Sequence, residues 1–148
     1  LPGKYVSDPT TTPKYDELER FKVVKKGKKV AILAVGTFNG LGEELADKLH
    51  TEQGIEVTLI KPFNLTILDT SVLDSLRADH QVVITLEDGV LDGGFGQKVA
   101  SYYGGSDMKV LNYGLAKKLY DRYSIDEILR DNHLTADQIA PEILDQLD

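Results

Sequence analysis

The stretch Val82 to Gly96, Val-Val-Ile-Thr-Leu-Glu-Asp-Gly-Val-Leu-Asp-Gly-Gly-Phe-Gly, constrains the fold more than any other part of this chain. Val82, Val83, Ile84 and Leu86 form a run too continuously apolar and β-branched for a strand with one wet face. The run therefore predicts a central strand covered on both sides, as in parallel sheets. A glycine-rich turn follows, and then a helix reaching about Tyr103 before Gly104-Gly105 breaks it. In α/β proteins, sites gather where a parallel strand ends and a helix begins, and Glu87 and Asp88 fall at that end.

The same unit recurs. Phe21 to Val24 reads as a short strand, and Val30 to Val35 as a second, fully apolar one ending at Gly36. Leu41, Leu45, Ala46 and Leu49 share one face of a helix over residues 41–53, with Gly54 as its left-handed stop. Ile55 to Ile60 returns as a strand. Asn64 to Thr66 make a turn, and Ser71 or Thr70 caps a helix carrying Val72, Leu73 and Leu76. Lys109 to Asn112 form the last strand. Ser124-Ile-Asp-Glu127 and Thr135-Ala-Asp-Gln138 are capping-box signatures that open two terminal helices. Pro141 lacks an amide proton, so the second of these is expected to restart there rather than run through. Alternating strands and helices with short connections make this an α/β fold with helices on both faces of a mainly parallel sheet.

The 148 residues suit one domain able to bury roughly 70% of its unfolded surface. Residues 1–20 hold Pro2, Pro9 and Pro13 with Thr10 to Thr12, and read as an extended interdomain linker ahead of a domain over 21–148. The chain opens at Leu1 without the apolar core of a signal peptide, so it reads as a piece of something longer. The absence of cysteine fits a reducing compartment, which makes the cytoplasm the expected location. No apolar run approaches the ~20 residues that span a bilayer, so no membrane association is expected. A net charge of −7 argues against nucleic acid as a partner. The one basic cluster, Lys25, Lys26, Lys28 and Lys29 around Gly27, reads as a solvated hairpin tip.

Motif by motif, the chemistry recedes. Gly36-Thr-Phe-Asn-Gly40-Leu-Gly42 stands where a dinucleotide's pyrophosphate would meet a helix, but Leu45 occupies the position of the third glycine. The segment is better read as a tight turn. Gly93-Gly94-Phe95-Gly96 could offer amides to an anion, yet Asp92 beside it would repel one, so close packing is the expected role. Glu87 and Asp88 are neighbours on a strand and point to opposite faces, which rules them out as an acid/base pair at one atom. His50 at a helix end, His80 in a loop and His133 before a cap show no metal-ligand spacing. No Gly-x-Ser-x-Gly elbow supports a catalytic triad. Tyr102, Tyr103, Tyr113, Tyr120 and Tyr123 suit a core edge or an interface. What stays open is a stand-alone ligand-binding module using the crevice between the Gly36 turn and the Glu87 strand end.

Several segments carry a family likeness. Lys28-Lys-Val-Ala-Ile-Leu-Ala-Val-Gly-Thr37, Ile60-Lys-Pro-Phe63, Thr85-Leu-Glu-Asp-Gly89 with Gly93-Gly-Phe-Gly96, Asn112-Tyr-Gly-Leu115 and Leu134-Thr-Ala-Asp-Gln-Ile139 together resemble the C-terminal domain of transketolase-like thiamine-diphosphate enzymes. Within that group they are most similar to 1-deoxy-D-xylulose 5-phosphate synthase, ahead of transketolase itself or a pyruvate dehydrogenase beta subunit. The likeness spans about residues 20–147 and departs from the synthase pattern over Ala116 to Ser124. It implies a three-layer α/β/α domain on a five-stranded mixed sheet, with the strand at Phe21 antiparallel to four parallel ones. It also implies thiamine diphosphate and magnesium held by upstream domains of the same polypeptide across a homodimer. No catalytic, cofactor or metal residue is then expected in this chain. Lys61, Pro62, Glu87, Gly93, Gly94, Phe95 and Gly96 would be left as candidate domain or dimer contacts.

Overall fold

A computed structural model describes residues 21–90, 93–115 and 124–148. Five strands, β1 (Phe21–Lys25), β2 (Lys29–Ala34), β3 (Thr58–Pro62), β4 (His80–Val90) and β5 (Lys109–Leu115), make one sheet in the order β1-β3-β2-β4-β5. β1 runs antiparallel to β3, and the β2–β3, β2–β4 and β4–β5 pairs are parallel. The helices are α1 (Asn39–Gln53), α2 (Thr70–Ser75), α3 (Phe95–Tyr103), α4 (Ile125–Asp131) and α5 (Ala136–Asp145).

Chirality decides the layering. From β2 the chain steps to one side to reach β3, then back across β2 to β4 and on to β5. Right-handed crossovers in opposite directions must use opposite faces. Accordingly α1 covers one face, where Leu45, Ala46 and Leu49 meet Val30, Ile32 and Ala34 together with Ile139, Ala140 and Ile143 of α5. α2 and α3 cover the other, where Leu73, Val99 and Tyr103 meet Ala31, Leu33 and Val83. β2 and β4 feed alternate residues into both cores, which is why their sequences are apolar throughout.

Four expectations need correction. The lysine segment is not a hairpin tip, because β3 lies between β1 and β2 and the connection crosses its end. Gly27 sits so close to the Glu56 carbonyl that a Cβ would overlap it, and the Lys28 amide donates to that oxygen at 2.8 Å. Neither Thr70 nor Ser71 caps α2: Asp69 does, through Oδ1 accepting from the Val72 amide at 3.2 Å. Its Oδ2 accepts from the Phe21 amide at 2.8 Å, so one carboxylate fastens both α2 and β1. His80 is not in a loop but is a buried residue of β4. α5 runs through Pro141 without restarting. Pro141 and Asp137 are both exposed, so the carbonyl freed by the missing amide faces solvent, while Ile139, Ala140 and Ile143 pin the helix to the sheet.

Boundaries moved less. β3 begins at Thr58 rather than Ile55, because the Ile55 amide still donates to Leu49 in the cap of α1. Gly54 closes that helix at φ 68°, in the left-handed conformation expected of it. No helix among the described residues is long and apolar enough to cross a membrane.

Candidate functional site

β2 and β4 stay paired to their carboxyl ends, where the chain leaves β2 toward β3 and β4 toward β5, which makes the gap between Gly36 and Glu87–Asp88 the topological switch point. The two carboxylates do diverge across the sheet. Glu87 is buried and accepts from the Gly96 amide at 2.7 Å, with the Phe95 amide also directed at it. Burial nevertheless outweighs both amides and holds its carboxyl above the ordinary 4.5. Asp88 is exposed and lies over the Gly36 turn, where Oδ2 meets the Thr37 amide at 3.4 Å and its hydroxyl at 3.5 Å. Gly36 is there at φ 59°, a conformation in which a side chain would also strike Asp88.

These contacts answer the anion question. The amides that open α3 face the carboxylate of Glu87, and the turn before α1 faces that of Asp88. A diphosphate placed at either helix start would meet like charge, so neither of these two starts fits the diphosphate of thiamine diphosphate. Among the described residues no three His, Asp or Glu side chains are arranged to hold a metal ion. Glycines serve packing instead. Gly42 lets α1 approach so closely that a Cβ would lie 2.9 Å from that of Ala34. At Gly96 a Cβ would stand 2.6 Å from Thr85 Oγ1 and 2.7 Å from Asn112 Oδ1, groups already hydrogen-bonded to each other at 2.7 Å. Asp92 and residues 116–123, with Tyr120 and Tyr123, lie outside the described residues.

One Asp-His-hydroxyl chain does exist. His80 joins Asp79 Oδ1 through Nδ1 at 2.7 Å and Thr58 Oγ1 through Nε2 at 2.7 Å. Thr58 is 1% exposed and its oxygen also accepts from the Gly27 amide, so it cannot meet a substrate. The chain is a tie between strand ends. Of the tyrosines, Tyr103 is buried and donates to the Leu73 carbonyl, Tyr113 is buried and donates to Glu142, and the half-buried Tyr102 donates to Asp74.

The seven residues singled out for contact split by exposure. Lys61 and Gly93 are at the surface and Gly94 is half-buried, whereas Pro62, Glu87, Phe95 and Gly96 are buried. Phe95 packs edge-on to Phe21 with ring centres 5.8 Å apart. The turn expected at Asn64 to Thr66 lies in the loop after β3, where Phe63, Leu65 and Ile67, not among the expected contacts, are 59%, 39% and 36% exposed. Asn64 Oδ1 accepts from the Thr66 and Ile67 amides at 2.8 and 3.1 Å, and Lys98 of α3 donates to the Leu65 carbonyl at 3.4 Å. The loop is thus held with its apolar side chains outward. The signal was present as an apolar residue at every second position from 63 to 67, beside an asparagine turn.

Comparison with known proteins agrees with this architecture. The family model for the transketolase C-terminal domain matches residues 19–139. The 1-deoxy-D-xylulose-5-phosphate synthase of Francisella tularensis subsp. novicida is 35% identical over 131 residues, covering 86% of this chain and 20% of that protein. The chain therefore spans about a fifth of the length of the curated relatives it matches. A split-gene transketolase described as an inactive beta4 tetramer superposes with a TM-score of 0.78 at 24% identity, over 95% of this chain and 45% of that one. Campylobacter jejuni transketolase does so at 0.60 and 14%, over 88% and 19%. At such identities the superpositions speak to the fold.

Proposed function

Because the chain belongs to the transketolase C-terminal domain family, we propose that it is the C-terminal domain of a thiamine-diphosphate-dependent enzyme of the 1-deoxy-D-xylulose 5-phosphate synthase type. The observation that carries this reading is the 35% identity to a synthase along 86% of the chain. The parent enzyme decarboxylates pyruvate and transfers the two-carbon unit to glyceraldehyde 3-phosphate, a cytoplasmic step toward isoprenoid precursors. Thiamine diphosphate and magnesium, which supply the carbanion chemistry, are held by upstream domains of the same polypeptide. The Glu87- and Asp88-filled helix starts support that division of labour.

The domain's task is to dock on those upstream domains and complete a homodimer. The docking surface lies at the carboxyl end of the sheet. Lys61, Gly93 and Gly94 reach it directly, and Pro62, Glu87, Phe95 and Gly96 set its shape from beneath. Phe63, Leu65 and Ile67 supply the apolar area, of the kind that anchors interfaces when neighbouring positions are held rigid.

Reconstitution tests the proposal. A polypeptide carrying the upstream thiamine-binding domains, mixed with this chain, magnesium and the cofactor, is expected to form product only when both are present. Calorimetry on this chain alone, with tripolyphosphate present to occupy any general phosphate site, is expected to show no uptake of thiamine diphosphate. Micromolar thiamine diphosphate binding that tripolyphosphate does not displace, or upstream domains equally active without this chain, would overturn the assignment.

A further inference from the structure

At the opposite end of the sheet, where β2, β3 and β4 begin, a cleft of about 640 Å³ is lined by Lys26, Lys28, Lys29, Gln53, Glu56 and Asp79. The family assignment gives this cleft no task. Its frame is rigid. Gly27 donates to Thr58 Oγ1 at 2.9 Å, Lys28 to the Glu56 carbonyl at 2.8 Å and Lys29 to the Asp79 carbonyl at 2.8 Å. Lys29 is held at φ 71°, a left-handed conformation that is costly for a lysine and persists only where neighbouring contacts enforce it.

The charges are unevenly committed. Lys25, Lys26, Lys28 and Lys29 take part in none of the ion pairs among the described residues. Against these four ammonium groups stand two carboxylates, Glu56, hydrogen-bonded to His50 at 2.6 Å, and Asp79, hydrogen-bonded to His80 at 2.7 Å. The carboxyl end of α1 adds only about half a negative charge, and the Gly54 and Ile55 amides partly cap it. Positive charge is therefore in excess here, in a chain whose total is −7. A cleft of this size takes a small molecule, and ammonium groups on a fixed frame suit a phosphate-bearing one.

We propose that this lysine-lined cleft binds a small polyphosphate anion, at the end of the sheet remote from the docking surface. The phosphate groups lie among Lys26, Lys28 and Lys29, with Gln53 and the half-buried Ile55 facing whatever the phosphates are attached to. A purely structural role for the lysines, offsetting the negative end of α1, predicts lost stability on their removal and no ligand.

Amide resonances of the labelled full chain, titrated at low salt with sodium tripolyphosphate and separately with ATP, test this. Saturable shifts at Gly27, Gly54 and Ile55 are expected with either probe. Tighter binding of ATP would show that the organic part is also recognised; equal binding would show that phosphate alone is. Lys26→Gln/Lys28→Gln is expected to weaken binding tenfold or more, and raising the salt to do the same. Lys22→Gln/Arg130→Gln removes equal charge away from the cleft and is expected to leave the affinity unchanged. No localised shifts at 10 mM probe, or equal weakening in both double variants, would overturn the site.

Discussion

Glu87 shows how one residue can look catalytic and serve the scaffold. It ends a buried strand, points at the start of α3 and has a carboxyl held above its ordinary 4.5 by burial. Those are also the marks of an acid/base group. Its partners in this fold are those of a scaffold group: it is buried, accepts from the Gly96 amide and has the Phe95 amide directed at it. The elevation fixes the sign of a pH effect. Between 4.5 and the folded-state value, the native chain keeps a proton that the unfolded chain has released. Stability from this group is therefore fully present below 4.5 and declines as pH rises through that window. Glu87→Gln removes the titration while keeping an oxygen for the Gly96 amide. In urea unfolding, its stability relative to the parent is expected to improve with rising pH across the window, by at most about 1.4 kcal/mol per pH unit. A difference that stays flat from pH 4 to 7 would sink the account.

Among the elements, those announced by periodicity were legible. The apolar runs that became β2 and β4 and the 3.6-residue pattern of α1 could be read because each is written within its own residues. Pairing was harder. Nothing around Gly27 says that β3, thirty residues later, will slide between β1 and β2, so a local reading turned a crossing into a hairpin. The cap of α2 failed for a related reason, since Asp69, Thr70 and Ser71 are consecutive acceptors and periodicity cannot separate them. A distant strand chose between them, because the Phe21 amide needs an acceptor as β1 begins at the sheet's edge. That double duty makes Asp69→Ala worse than loss of a cap alone. Unpairing the Val72 and Phe21 amides together is expected to cost about 2–4 kcal/mol. Hydrogen exchange is expected to rise in β1 before β2, and a loss under about 0.5 kcal/mol with β1 still protected would refute the shared role.

For the whole molecule, the two ends of the sheet differ in chemistry. The amino end gathers lysines around a rigid crossing. The carboxyl end presents Phe63, Leu65 and Ile67 on a loop braced by Asn64 and Lys98, over a layer in which Glu87, Phe95 and Gly96 are locked. The candidate contact was only half legible in the sequence, because glycines and a buried carboxylate are conspicuous as letters while exposure is a property of the fold. Exposed apolar side chains that support no core can be replaced at little cost to stability, whereas the same replacement at an interface removes its anchors. Phe63→Glu/Leu65→Glu is therefore expected to change the unfolding free energy of this chain by less than about 0.5 kcal/mol. It is also expected to weaken association with a polypeptide carrying the upstream domains by about tenfold or more, read by sedimentation or biosensor titration. If the double variant docks as tightly as the parent, the surface lies elsewhere. If it unfolds the chain instead, these side chains belong to the core and the division between the two ends of the sheet is wrong.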